Sequence, residues 1–186
     1  MKEVRPTSGR VLAALFSILG GVEEINLEGL DFLDLFAGTG RVGIEALRRG
    51  ASSVVLVETL KDRARAIGRA IPEKFADRAT ILSLEFRRGT AWLVRRGRVF
   101  DVVFADPPYN EGWGASLLRA ADLTKIVKKG GIMVVEHASR ETLAVPEPWA
   151  VTEDRVYGET ALTFLRPESP GPAGPDSPGD GTGALS

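Results

Sequence analysis

Asp106, Pro107, Pro108 and Tyr109 follow directly on the apolar run "VVFA", Val102 to Ala105, and an ordinary strand end needs no such combination. Proline fixes φ and removes a donor, and Pro107 also restricts Asp106 to extended geometry. The segment therefore holds a carboxylate and bare carbonyls in fixed places with no competing N–H. Such acceptors suit one task well, which is to take the hydrogens of an exocyclic amino group. An amine on a purine is a poor nucleophile because its lone pair is delocalised into the ring. Accepting its two hydrogens, at Asp106 and at a backbone carbonyl near Pro107, draws the nitrogen toward a pyramidal form with its lone pair aimed at a methyl donor. Rate then comes from positioning and electrostatics. Tyr109 offers a flat face on which a base taken out of its helix stacks. A strand-terminating turn capped by Asp106, with Tyr109 as edge packing, accounts for one proline but not for the whole set.

A second cluster is glycine-rich. Gly38, Gly40 and Gly43 satisfy G-x-G-x-x-G, and Glu58 follows at about the twenty-residue spacing of a ribose-binding acid. The pattern alone fits a nicotinamide or flavin site. Asp34, just before the loop, separates the possibilities. A pyrophosphate on the following helix N-terminus is repelled by that carboxylate, whereas a ligand carrying an ammonium and a sulfonium is attracted. S-adenosylmethionine, which leaves as S-adenosylhomocysteine, is such a ligand. The glycines then allow close backbone approach, and Glu58 can accept from both ribose hydroxyls. The alternative, in which Asp34 only caps locally and the glycines only make a tight turn, leaves Glu58 and the proline segment unexplained.

These clusters need elements to position them. A helix over 8–20 carries Val11, Leu12, Leu15, Ile18 and Leu19 on one face, after the capping-type residues Thr7 and Ser8. Apolar runs at 32–36, 53–58, 79–84, 100–105 and 130–136 then alternate with helical stretches at about 41–49, 60–71, 91–95 and 116–127. Strands separated by single helices predict an α/β fold with a mostly parallel sheet and helices on both faces. "WAVTEDRVYG" and "ETALTFLR" predict a C-terminal antiparallel hairpin turning at Tyr157 and Gly158. In such sheets ligands bind at the carboxyl ends of the strands, where all three polar clusters fall.

Composition narrows the chemistry further. The chain has 186 residues, a formal charge of -1, no Cys and one His. Disulfides, thiolate metal sites and Cys nucleophiles are excluded, and a single His137 argues against a His-based metal centre or triad. No metal is expected. No apolar run approaches the roughly 18 residues of a membrane span, and no signal-peptide core is present, so a cytoplasmic protein without a membrane partner is expected. Residues 1–166 read as one domain, and the Pro- and Gly-rich stretch 167–186 reads as a disordered tail.

"DLFAGTG", the acid of "VVLVE" and "DPPY" resemble, in order and spacing, the motifs of class I amino-methyltransferases. More narrowly, "RPTSGRVLAALFSIL", "GRVGIEALRRGA" and "VYGETALTFL" resemble the RsmD-type bacterial enzymes that methylate guanine N2 in 16S ribosomal RNA. The resemblance runs from about Arg5 to Arg166. It implies the Rossmann-like class I methyltransferase fold with a seven-stranded sheet. It also implies that Asp34, Phe36, Ala37, Gly38, Thr39 and Gly40 surround the methionine part of the cofactor and that Glu58 binds the ribose. Asp106, Pro107, Pro108 and Tyr109 would form the target-amine site, with Arg5 and Thr7 near that cleft. Where the family carries an acid or amide that reads the adenine, this chain is expected to place Arg88, so that a backbone N–H near Gly89 holds the ring.

The expected substrate is ribosomal RNA in a small-subunit assembly particle, met by a monomeric enzyme. Arg87, Arg88, Arg95, Arg96, Arg98, Lys125, Lys128 and Lys129 are candidate phosphate contacts, against the alternative of merely solvated helix faces. Three rival readings stand beside this one. An adenine-N6 DNA methyltransferase shares "DPPY" but normally wants a target-recognition region. A nicotinamide-dependent oxidoreductase is disfavoured by Asp34. A non-catalytic binding module is disfavoured by the intact "DPPY".

Overall fold

The computed structural model describes residues 9–108, 113–120 and 122–168. Strands β1 (Asp31–Asp34), β2 (Ser53–Val57), β3 (Ala79–Leu82), β4 (Phe100–Ala105), β5 (Val127–Ala138), β6 (Trp149–Tyr157) and β7 (Thr160–Pro167) form one sheet in the order β3-β2-β1-β4-β5-β7-β6. The first five run parallel, and β7 lies antiparallel between β5 and β6. This is the mostly parallel sheet with an antiparallel C-terminal pair expected from the alternation of elements, and the class I methyltransferase architecture that the resemblance implies. The strand order reverses between β1 and β4, which opens a crevice at their carboxyl ends.

Period-two alternation divides the sheet residues between two cores. Phe32, Val54, Val102, Phe104, Ile132, Val134 and Leu162 face one side, under α1 (Gly9–Gly21), α2 (Arg41–Arg48), α3 (Lys61–Ala70) and a 3-10 turn (Glu73–Arg78). Leu33, Val55, Val103, Met133, Val135 and Leu165 face the other, under α4 (Phe86–Arg95), α5 (Trp113–Leu118) and α6 (Leu123–Ile126). Each fully buried Phe or Leu here contributes roughly 2 kcal/mol of apolar burial, enough in sum to fix the register of every strand.

Several boundaries differ from the sequence reading. The helix expected at 91–95 begins at Phe86, because the Glu85 side chain caps it by accepting from the N–H groups of Arg87 at 3.0 Å and Arg88 at 3.4 Å. The helix expected at 116–127 is instead α5 and α6. The Trp149 indole donates to the Leu118 carbonyl at 3.2 Å, taking an acceptor that a continuous helix would have used. Strand β5 starts at Val127, paired with Phe100, before a register shift between Phe100 and Val102. Arg5, Thr7, Tyr109 and residues 169–186 of the expected tail lie outside the described residues, while Pro167 still belongs to β7.

Candidate active site

The loop between β1 and α2 is tied down by two carboxylates. Glu58, just past β2, accepts from the Gly38 N–H at 2.9 Å through one oxygen and from the Leu60 N–H at 2.8 Å through the other. Asp34, at the end of β1, accepts from the Gly43 N–H at 3.1 Å. The loop is further fixed by Ala37 N–H to the Val57 carbonyl at 3.0 Å and Gly40 N–H to the Ala37 carbonyl at 2.6 Å. Glycine is required at one position of the loop and at one in the first turn of α2. Gly40 has φ 77°, and Gly43 packs so closely on β2 that a Cβ would stand 2.7 Å from Leu56 Cδ2. Phe36 is half-buried against the Phe86 ring, with centroids 5.3 Å apart, Ala37 is buried, and Thr39 is exposed.

The acids of this edge share one face. Asp34 continues the alternation of Phe32, Glu58 that of Leu56, and Asp106 that of Phe104, all three in the core under α1, α2 and α3. Sequence reasoning gave no role to Glu136, yet it continues the alternation of Val134 on the same face and is buried. The signal lies in "GGIMVVE", where period-two alternation puts the final acid on the face of Val134.

Their proximity shows in their ionisation. Burial, opposed by the Gly43 hydrogen bond and aided by Glu58 and Glu136, pushes the Asp34 carboxyl up to about 7. Burial, then Glu136 and Asp34, pushes Asp106 well above the usual carboxylate range. Four carboxyl groups converging in a sheltered edge make a place where a cation is strongly favoured and an anion is not. Asp106 itself is half-buried, Pro107 buried and Pro108 exposed, so the carboxylate is held while remaining reachable.

Two further expected site residues, Arg88 and Gly89, fall on α4. Arg88 is exposed on α4, and Gly89 lies inside that helix, where its N–H donates to the Glu85 carbonyl at 2.8 Å. That donor is spent on the helix and is not the one that holds a ring. Gly89 is instead a packing position, since a Cβ would stand 2.9 Å from Val57 Cγ1. His137 is buried on the opposite face from Glu136, with Nε2 2.9 Å from Thr163 Oγ1, and Thr163 donates to Asp154 at 2.8 Å. It is a packed residue and does not line the crevice.

The basic residues also sort themselves. Lys128 reaches Asp101 at 2.7 Å and Asp31 at 3.2 Å, at the opposite edge of the sheet, and Lys125 pairs with Asp122 at 3.2 Å. Arg87 donates to Ser116 at 2.9 Å and Arg98 to Ser53 at 3.2 Å. Arg96 stacks over Trp92 at 3.8 Å, and Arg88, Arg95, Arg96 and Lys129 are exposed. Among the described residues, no group of three or more His, Cys, Asp or Glu could hold a metal ion, and no helix is long and apolar enough to cross a membrane.

Comparison with known proteins follows the same lines. The family model described as conserved hypothetical protein 95 matches residues 1–166. The chain is 26% identical over 174 residues to the ribosomal RNA small subunit methyltransferase D of Escherichia coli K12, covering 93% of this chain and 84% of that one. It is 28% identical over 159 residues to the protein of the same name from Buchnera aphidicola of Acyrthosiphon pisum, covering 84% and 78%. Its fold matches a solved Escherichia coli protein described as a candidate methyltransferase, yhhF, with a TM-score of 0.73, 24% identity and coverage of 90% and 91%.

Proposed function

The chain belongs to the family described as conserved hypothetical protein 95, and from that membership and the acid-lined edge we propose that it is an S-adenosylmethionine-dependent methyltransferase of small-subunit ribosomal RNA, acting on guanine N2. One observation carries the cofactor class. The Asp34 carboxylate accepts from Gly43 at the N-terminus of α2, the place where the pyrophosphate of a dinucleotide would have to sit. A buried acid held near neutral pKa there fits a cationic ligand, and this also weighs against the nicotinamide reading.

S-adenosylmethionine supplies an electrophilic methyl on a sulfonium, and the chain's own residues do the rest. Asp34, with Phe36, Ala37, Gly38, Thr39 and Gly40, would hold the amino-acid end. Glu58, already oriented by Gly38 and Leu60, keeps lone pairs for the ribose hydroxyls. The start of α4, with Arg88 and Gly89 on its first turns, would border the adenine. Asp106 and the Pro107 carbonyl would accept the amine hydrogens and aim the nitrogen lone pair, with Pro108 stiffening the segment and Tyr109 stacking on the base. Arg5 and Thr7 would line the approach. We read residues 1–166 as one monomeric, cytoplasmic domain that works without a metal on a small-subunit particle.

The test is to supply labelled cofactor with small-subunit particles, naked ribosomal RNA and duplex DNA, and to identify the modified nucleoside. N2-methylguanosine in the RNA is expected. Label found only as N6-methyladenine in DNA would overturn the substrate. Asp106→Ala should lower transfer by about 100-fold or more while cofactor affinity, by calorimetry, stays within a few-fold. Full transfer in that variant would remove Asp106 from the mechanism.

A further inference from the structure

Glu136 is a fourth carboxylate at the edge, and its placement is set by the sheet. Ala105 of β4 pairs with Val135 of β5, so the next residue of each chain, Asp106 and Glu136, falls side by side on strands about 4.8 Å apart. Val134 packs into the core under α1, α2 and α3 and Val135 into the other, so Glu136 returns to the first face, as Asp106 does after Phe104 and Ala105. Glu136 is 3% exposed. Among the described residues, the ionisable groups placed toward this face of this edge include Asp34 of β1, Glu58 of β2, Asp106 and Glu136, with Tyr157 of β6 packed on the same core farther along the sheet. On β7 Leu162 pairs with Glu136, α2 enters with the exposed Arg41, and His137 turns to the opposite face toward Thr163. Burying one carboxylate beside another is unfavourable, and each holds the other's proton more tightly.

We propose that Glu136 is a positioning residue for methyl transfer: standing beside Asp106, it keeps that carboxylate a strong enough base to take the proton the methylated amine must lose. The role rests on the methyl-transfer reading above. In the step, the lone pair of the amine nitrogen forms the N–C bond, and the electron pair of the C–S bond leaves with sulfur. The positive charge passes from sulfur to nitrogen, and one N–H proton then moves to an Asp106 oxygen, which ends neutral beside a neutral amine. The sulfonium that favoured ionised carboxylates has gone by then, so repulsion from Glu136 acts fully on Asp106 at the moment it must bind a proton. Burial comes first among the causes of the raised proton affinity of Asp106, and Glu136 is the larger of the two charges that add to it.

The experiment compares wild type, Glu136→Gln and Glu136→Asp in two ways. The first is kcat and KM for small-subunit RNA across pH. The second is the carboxyl titration of Asp106, followed by carbon-13 NMR in the protein without cofactor. Glu136→Gln should lower kcat about tenfold, leave KM for RNA within twofold, and move both the acid limb of kcat and the Asp106 titration to lower pH. Glu136→Asp, which keeps the charge one methylene farther back, should restore much of both, and it carries the test if the Gln variant fails to fold. An unmoved Asp106 titration, or a loss of thermal stability alone with wild-type kcat and pH profile, would overturn the proposal. If wild type itself transfers no methyl to the RNA, the parent reading fails, and the titration still decides whether Glu136 governs Asp106.

Discussion

Asp34 is a residue on which pH bears directly. Its carboxyl is raised from 3.8 to about 7 by burial first, so the folded protein holds the proton more tightly than the unfolded chain. A group of this sign contributes stability fully present below about pH 4 and lost as pH rises through about 7. A cationic ligand favours the ionised form and therefore binds better on the alkaline side of that window. Affinity for S-adenosylmethionine should weaken by up to about tenfold for each pH unit below 7, and calorimetry between pH 5.5 and 7.5 reads it. Asp34→Asn should bind more weakly throughout with a flatter pH dependence; an unchanged slope would place the titrating group elsewhere. The type and spacing of Asp34, Glu58 and Asp106 were legible in the sequence because each ends an apolar run. Glu136 was not, because its meaning depends on which β4 residue it stands beside, and register is a property of the folded sheet.

At the scale of elements, the contact between α2 and β2 sets how close the glycine loop can approach a ligand. Gly43 lies on α2 where a Cβ would meet Leu56 Cδ2 at 2.7 Å and Val54 Cγ1 at 3.1 Å, and both side chains are fully buried with nowhere to yield. Gly43→Ala should therefore push α2 off the sheet, lower stability by about 1–3 kcal/mol and weaken cofactor binding as the Gly43 N–H leaves Asp34. Gly20, near the end of α1, has nothing within 4 Å of a built Cβ, so Gly20→Ala should gain about 0.5–1 kcal/mol from helix propensity without touching binding. Urea melts of the two variants give opposite signs; a destabilised Gly20→Ala or a neutral Gly43→Ala would contradict the packing described. The strand and helix alternation was readable from hydrophobic period. The break between α5 and α6 was not, because it depends on the Trp149 indole reaching back 31 residues to Leu118, a contact no local window contains.

For the whole molecule, a net charge of -1 leaves recognition of a polyanion to local patches. Eight basic residues looked equivalent as a sequence, and folding separates them, since Lys128, Lys125, Arg87 and Arg98 are engaged by neighbouring side chains. Arg95 and Arg96 remain exposed at the C-terminal end of α4, in a stretch from Phe86 to Phe100 with five arginines and no acid, and the Arg96 guanidinium sits over the Trp92 ring. That arrangement keeps a planar cation extended toward solvent at small entropic cost, as a phosphate contact requires. Reversing both charges, in Arg95→Glu with Arg96→Glu, should weaken binding to small-subunit RNA by about tenfold or more near 0.1 M salt and reduce the slope of log affinity against log salt by about one to two. Cofactor affinity should not change, because neither residue borders the acid-lined edge. Filter binding across a salt series is the measurement, and a variant with wild-type affinity and slope would move the RNA contact to another face of the protein.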